Sequence, residues 1–328
     1  MKKLGQVISF YSYKGGVGRT LAVANIGALL ANWGRARGER VLLVDWDLEA
    51  PGLHAFFAEA MMPSQRDAPG ILEYFEELRG KLVDEPRHYE EIRENRRRIE
   101  EVLPLESYLR VDVLQGLDLM LSNPVSPEYR RRATEFDWAT FWQNYPAAIH
   151  AFRESLERRY RYVLVDSRTG YSDVSGLCSA ILPEKLVIVF SLNQQNLEGA
   201  IEVARRSVAF RERSDDIRPL AIYPLASRVD VSAEIKERET WLRQFEDAFE
   251  ACFREIYREP ECRLGDYFKN VFIPYVAYFS YGEKLVLLVE DISRTGGLRR
   301  ACEDFARLLV KSEYPWQPES EWTVDPAK

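Results

Sequence analysis

Residues 13–20 read Tyr-Lys-Gly-Gly-Val-Gly-Arg-Thr, placing three glycines, two cations and an aliphatic hydroxyl within eight positions. Such a set can hold phosphate. Glycines let backbone N–H groups turn toward one point, and a following helix adds partial positive charge at its N-terminus. An apolar run, Val7 to Tyr11, precedes the segment, and a helical pattern starts at Leu21. The order is therefore strand, glycine-rich turn, helix. Gly15, Gly16, Val17 and Gly18 form the expected cradle, Lys14 and Arg19 supply charge, and Thr20 stands where a hydroxyl would ligate Mg2+ beside bound phosphates. The alternative is a tight strand-to-helix turn with no ligand.

Two further apolar runs end in acids. Val41 to Val44 has four consecutive apolar residues, which predicts a strand buried on both faces, and it leads into Asp45-Trp46-Asp47. Ligands bind at the carboxyl ends of strands in open α/β sheets. Residues two apart on continuing strand geometry point to one side, so Asp45 and Asp47 are expected together. The run Tyr162 to Val165 ends in Asp166-Ser167-Arg168-Thr169-Gly170. A carboxylate at Asp166 suits Mg2+ held through its water shell, because Mg2+ dehydrates reluctantly. Arg168 could contact phosphate as a planar five-donor fork, or pair with Asp173 on the surface.

The loop departs twice from the strict phosphate-loop pattern G-x-x-x-x-G-K-[ST]: Tyr13 replaces the first glycine and Arg19 the lysine. Lys14-Gly15-Gly16-Val17-Gly18 resembles the deviant Walker A loop of the ParA/MinD ATPases, and Arg19 matches a KGGVGR-motif branch of that superfamily. The resemblance implies that Lys14 reaches across a dimer interface to the partner's nucleotide. It also implies that Asp47 orients the water attacking the γ-phosphate, that Asp45 is a supporting acid near Mg2+, and that Asp166 is the Walker B carboxylate. Lys14 and Asp47 are then the catalytic candidates. Residues 14–20 bind ATP, and Thr20, Asp45 and Asp166 serve the metal. Tyr13 and Arg168 are expected among the altered surroundings of Arg19. ATP is favoured over GTP by the resemblance. The stretch Tyr223 to Asp230 lacks the family's base-reading asparagine, although Ser227 and Arg228 could substitute, and Asn196 is expected to cap a helix.

The 328 residues can bury a large core, and one elaborated domain is expected over 1–312, with an insertion at about 54–150 and a tail at 313–328. A net charge of −7 and a pI near 5.4 oppose a role built on coating phosphate backbones. The basic run Arg96 to Arg98 sits among glutamates and reads as a solvated helix face, whereas Arg130 to Arg132 is less masked. Cys178, Cys252, Cys262 and Cys302 lack C-x-x-C spacing, and His54, His88 and His150 form no ligand motif. With no signal peptide read at the N-terminus, a reducing cytoplasm is the expected location. No apolar stretch approaches the roughly 20 residues of a membrane span.

Further strands are expected at Leu186 to Phe190 and Leu220 to Tyr223, making five apolar runs separated by helices. That alternation predicts a doubly wound, mainly parallel sheet flanked by helices, with a helical insertion between the second strand and the strand ending at Asp166. Ala22, Ala24, Gly27 and Ala28 would let the first helix pack closely on the sheet. A charged helix is expected over Glu85 to Val102. The aromatic segment Phe136, Trp138, Phe141, Trp142 and Tyr145 reads as core or as an exposed partner patch. Phe245, Phe249, Phe253 and Ile256 recur at near-helical spacing, and Leu298 to Val310 reads as a final packed helix. The tail, with Trp316 and Trp322, either docks on the domain or stays loose, and it lacks a basic amphipathic membrane pattern.

The resemblance, with which these features agree, implies an ATP-dependent homodimer with slow Mg2+-dependent hydrolysis that controls an unidentified protein effector. Nucleic acid and membrane are not expected partners. The competing classes are a non-hydrolysing ATP-binding scaffold, a DNA-partition ATPase and a metabolic ligase of the same broad fold.

Overall fold

In the computed structural model, each of the apolar runs read from the sequence is a strand of one sheet. The structure describes residues 4–122, 126–170, 176–214, 216, 218–232, 235–289 and 297–317. Eight strands are present: β1 (Gln6–Tyr11), β2 (Val41–Trp46), β3 (Arg110–Leu114), β4 (Leu117–Met120), β5 (Tyr162–Ser167), β6 (Lys185–Phe190), β7 (Ala221–Val229) and β8 (Phe272–Pro274). Their order across the sheet is β3-β4-β2-β5-β1-β6-β7-β8, and every pairing is parallel except β3 with β4. The order reverses beside β1, where β5 lies on one side and β6 on the other. A crevice opens at such a switch point, outside the carboxyl ends of the strands.

The sheet separates two apolar cores, and strand alternation assigns the side chains to them. Val41 and Leu43 of β2 face the core that contains the helix Arg19–Gly34, here α1. Leu42, Val44 and Trp46 face the other core, built largely by the insertion. Small residues bring α1 close: a Cβ on Gly27 would lie 2.3 Å from a Leu43 methyl. The C-terminal helix Leu298–Lys311 packs on α1, as its apolar spacing predicted.

The insertion is helical but also extends the sheet. Its hairpin, β3 and β4, escaped the sequence reading because both strands are short and β3 carries exposed residues. The helix expected over Glu85 to Val102 is instead two pieces, Pro86–Arg93 and Ile99–Val102. Between them Asn95 adopts a left-handed φ of 56°, and the N–H groups of Arg96 and Arg97 both turn back to the Glu91 carbonyl. Phe136, Trp138 and Phe141 are buried, with Trp142 and Tyr145 packed against them, so the aromatic segment is core. Phe245, Phe249 and Phe253 are buried as well. In the tail, Trp316 packs on Phe253 and Tyr257, whereas Trp322 lies outside the described residues.

Candidate functional site

β1 ends at Tyr11, and the loop that follows runs directly into α1 at Arg19. Gly16 and Gly18 have φ of 74° and 88°, a region that strains any residue with a side chain. A Cβ on Gly15 or Gly16 would meet nothing within 4 Å, so this part of the loop faces open space. A Cβ on Gly18 would lie 2.9 Å from Ser227 Oγ, so the third glycine lets the end of β7 approach the loop. Above the loop is a cavity of about 650 Å³, bordered by Gly15 to Leu21, Asp47, Ser227 and Tyr275. That size suits a small-molecule ligand.

Arg19 borders this cavity, yet its guanidinium is buried and taken up by neighbouring side chains. Its Nη2 donates to Asp47 Oδ2 at 2.8 Å, its Nη1 to Ser12 Oγ at 3.1 Å, and its Nε to Asp166 Oδ1. Burial disfavours the guanidinium charge, but Asp166 and Asp47 outweigh it and hold the Arg19 pKa above its ordinary value. Tyr13 and Arg168, expected around Arg19, are engaged elsewhere. The Tyr13 ring packs on Gly199, and Arg168 pairs with Glu49 at 2.7 Å. Asp173, the other partner considered for Arg168, lies outside the described residues.

The two acid-bearing strand ends are neighbours, with Asp45 in register with Asp166, and the acids do different things. Asp45 is fully buried and accepts N–H groups from Asp47 at 3.3 Å, Gly52 at 3.2 Å and Leu53 at 3.1 Å. Both its oxygens therefore pin the loop 47–53, and that loop lies on Thr20: a Cβ on Gly52 would be 3.3 Å from the Thr20 methyl. Burial, reinforced by Asp166, pushes the Asp45 carboxyl well above the usual range. Asp47 faces Arg19 and also accepts the Ala50 N–H. Trp46, between them, points the other way and packs on Phe75, Trp138 and Phe152.

Asp166 is fully buried, and that burial raises its pKa against the opposing pull of Arg19 and the nearby Thr20 hydroxyl. Its Oδ2 has no hydrogen-bond partner among the described residues. An orphaned carboxylate oxygen beside a threonine hydroxyl and open glycine N–H groups fits a hydrated Mg2+ on a phosphate. Among the described residues there is no group of three His, Cys, Asp or Glu arranged for a metal. Mg2+ held by one or two carboxylates plus substrate phosphates does not require one.

Lys14 is exposed, with its ammonium 5.4 Å from the Tyr13 ring centroid. On the far side of the cavity, Ser227 is buried, and its hydroxyl has no hydrogen-bond partner among the described residues. Arg228 donates to the Gly16 carbonyl at 2.9 Å and lies 5.5 Å from the Tyr275 ring centroid. Asn196 is not the helix cap that the sequence suggested. Asn193 is, accepting the Asn196 N–H at 3.0 Å, because the helix Gln194–Glu212 starts earlier than its apolar pattern shows. Sequence reading missed Ser12, Glu49 and Tyr275. Ser12 was adjacent to the motif, whereas Tyr275 follows a three-residue strand that leaves no periodic signal.

No protein-family model matches this sequence, and no curated protein does. Solved structures do match in fold. An ATP complex of a Cyanothece McdA variant aligns over 94% of this chain and 98% of its own, with a TM-score of 0.60 and 14% identity. The septum site-determining protein MinD with Mg-ADP from Pyrococcus horikoshii OT3 aligns over 94% and 99%, with a TM-score of 0.56 and 16% identity. Cobyrinic acid a,c-diamide synthase from Mycobacterium smegmatis, with bound ADP and magnesium, aligns over 96% and 100%, with a TM-score of 0.56 and 14% identity. The chain has the ParA/MinD-type P-loop ATPase fold.

Proposed function

From that fold we propose that this chain is an ATP-binding molecular switch. Two copies associate with ATP and Mg2+, hydrolyse the nucleotide slowly, and so set the binding of a protein effector. The observation that carries this reading is the convergence of Thr20, Asp47 and Asp166 beside an open glycine cradle. Backbone N–H groups of residues 15–20 hold the phosphates. Thr20 and Asp166 would hold Mg2+, which would supply charge neutralisation for the phosphates. Asp45 keeps the loop bearing Asp47 in place, and Asp47 orients the attacking water. Lys14 serves the partner's nucleotide, as its outward position allows. ATP and Mg2+ are favoured because McdA and MinD with this fold have been seen with ATP and Mg-ADP.

Calorimetry with ATP, with and without Mg2+, tests the binding half. Thr20→Ala and Asp166→Ala should remove the Mg2+-dependent part, and absence of binding at millimolar ATP would overturn the reading. Light scattering across nucleotide states tests association. ATP should shift monomer toward dimer, and Lys14→Ala should weaken that shift while leaving ATP affinity. A second reading, an ATP-binding scaffold without turnover, is favoured by one observation: Arg19 is bonded to both Asp47 and Asp166. If wild type and Asp47→Ala share one background rate of phosphate release, this second reading replaces the first.

A further inference from the structure

We propose that Tyr13 is a positioning residue: its ring, seated on Gly199, sets the direction in which Lys14 leaves the loop. The inference rests on the reading above, in which Lys14 acts on the partner's nucleotide. Lys14 is a flexible four-carbon stem on an exposed loop, and a residue of that kind loses much rotamer freedom when it must meet one phosphate. A rigid surface beside it removes part of that loss beforehand.

The structure provides such a surface. Tyr13 packs its ring against the helix Gln194–Glu212 at a place where only glycine leaves room. A Cβ on Gly199 would fall 2.2 Å from Tyr13 Cγ and 2.3 Å from Cδ1. The helix under it is fixed at its start by the Asn193 cap, so the seat is not itself a mobile loop. The Lys14 ammonium stands over the ring, 5.4 Å from the centroid, within range for a cation on an aromatic face. Glu198 and Glu202 of the same helix border the same hollow as Tyr13 and Lys14, adding negative charge on the ammonium's side. The strict phosphate-loop pattern has a glycine where Tyr13 stands, and a glycine offers the lysine no ring. Tyr13 and Gly199 thus form a matched pair whose product is the orientation of Lys14.

The test compares Tyr13→Ala, Tyr13→Phe and Gly199→Ala with wild type. ATP affinity is measured by calorimetry at low protein concentration, and the ATP-dependent dimer by sedimentation. Tyr13→Ala should raise the dimer dissociation constant about tenfold, the scale expected for freeing one side chain per protomer. ATP affinity of the monomer should stay within about twofold, since the cradle N–H groups are untouched. Tyr13→Phe keeps the ring and should stay nearer wild type than Tyr13→Ala does, while Gly199→Ala, which displaces the ring without touching the loop, should weaken the dimer like Tyr13→Ala. Adding Tyr13→Ala to Lys14→Ala should produce no further loss, because the ring then has nothing to orient. A further loss in the Lys14→Ala background, or a Phe variant that behaves like Ala, would overturn the proposal. The Phe comparison decides the case even where Lys14→Ala leaves no dimer to weigh. If Lys14→Ala itself leaves dimerisation and turnover intact, the underlying reading fails. If Lys14→Ala matters and Tyr13→Ala does not, only the positioning role fails.

Discussion

An arginine brings a phosphate loop a direction as well as a charge. Lysine is a compact point charge, whereas the guanidinium is a planar fork that can satisfy several acceptors at once. Arg19 uses the fork in this way, reaching Ser12, Asp47 and Asp166 from three different nitrogens. Without it, two buried carboxylates would face each other with no cation. Arg19→Ala should therefore destabilise the nucleotide-free protein by about 3–5 kcal/mol, the usual effect of removing one partner from a buried ion pair. Urea denaturation at neutral pH checks this, and a change below about 1 kcal/mol would show that water or ions replace the guanidinium freely. Arg19→Lys keeps the charge but cannot span all three acceptors. It should lower ATP turnover, already expected to be well below the ~10 s⁻¹ of a median enzyme. Faster phosphate release in Arg19→Lys would instead identify arginine as a brake and favour the scaffold reading.

At the scale of elements, the position of the phosphate loop depends on how closely α1 lies on β2. Gly27 marks the tightest point, and Leu43 beneath it is fully buried, so its methyl has nowhere to retreat. Gly27→Ala gains roughly 1 kcal/mol of helix propensity but forces an overpacking cost of about 1–3 kcal/mol. A net loss of about 1 kcal/mol should appear as a lowered denaturation midpoint. Leu43→Ala added to it should cost less than Leu43→Ala alone, because the two share one space. Such packing also explains what the sequence disclosed. β1, β2, β5 and β6 are central strands buried on both faces, so each reads as a mostly apolar run, and those of β1, β2 and β5 lead into the glycine loop or the acids at their carboxyl ends. β7 was read only as far as Tyr223 because Pro224 looks like a stop. Its pairing with β8 begins later, at Ala226, so the missing N–H breaks no bond on that side. β3 and β8 lie at the edges, and they and β4 are short, which leaves little periodicity to read. The motifs likewise disclosed which residues meet at the cradle, but not that Arg19 turns inward. Side-chain direction depends on acceptors brought from two other strands.

Across the whole molecule, buried charge gathers at both ends of the sheet, and the carboxyl end faces the cavity proposed for the nucleotide. At the carboxyl end, Arg19 and Asp47 border the cavity, and Arg19 is also paired with the buried Asp166. At the amino end, before β5, β6 and β7 begin, Asp216 is bonded to Arg153 at 2.9 Å and Arg218 at 2.9 Å, with Arg211 at 3.4 Å. Glu157 and Glu184 also pair with Arg218. Arg211 donates to the carbonyls of Ala180, Pro183 and Arg218, so this second cluster ties loops to strands and has a structural role. Burial would raise the Asp216 pKa, but the Arg218 hydrogen bonds and the neighbouring guanidinium charges hold it well below the usual carboxylate range. A carboxylate depressed on folding contributes stability that is complete above its unfolded value of about 3.9 and fades as pH falls toward the folded value. Asp216→Asn should thus lower unfolding free energy by about 3 kcal/mol between pH 6 and 8. The gap from wild type should shrink steadily below about pH 4. ATP affinity at neutral pH should not change, because the altered group lies at the opposite end of the sheet from the cradle. Denaturation curves at several pH values, paired with calorimetry at pH 7, separate the two effects. A pH-independent gap would remove charge from the explanation, and a large fall in ATP affinity would show that the amino-end cluster also reaches the site.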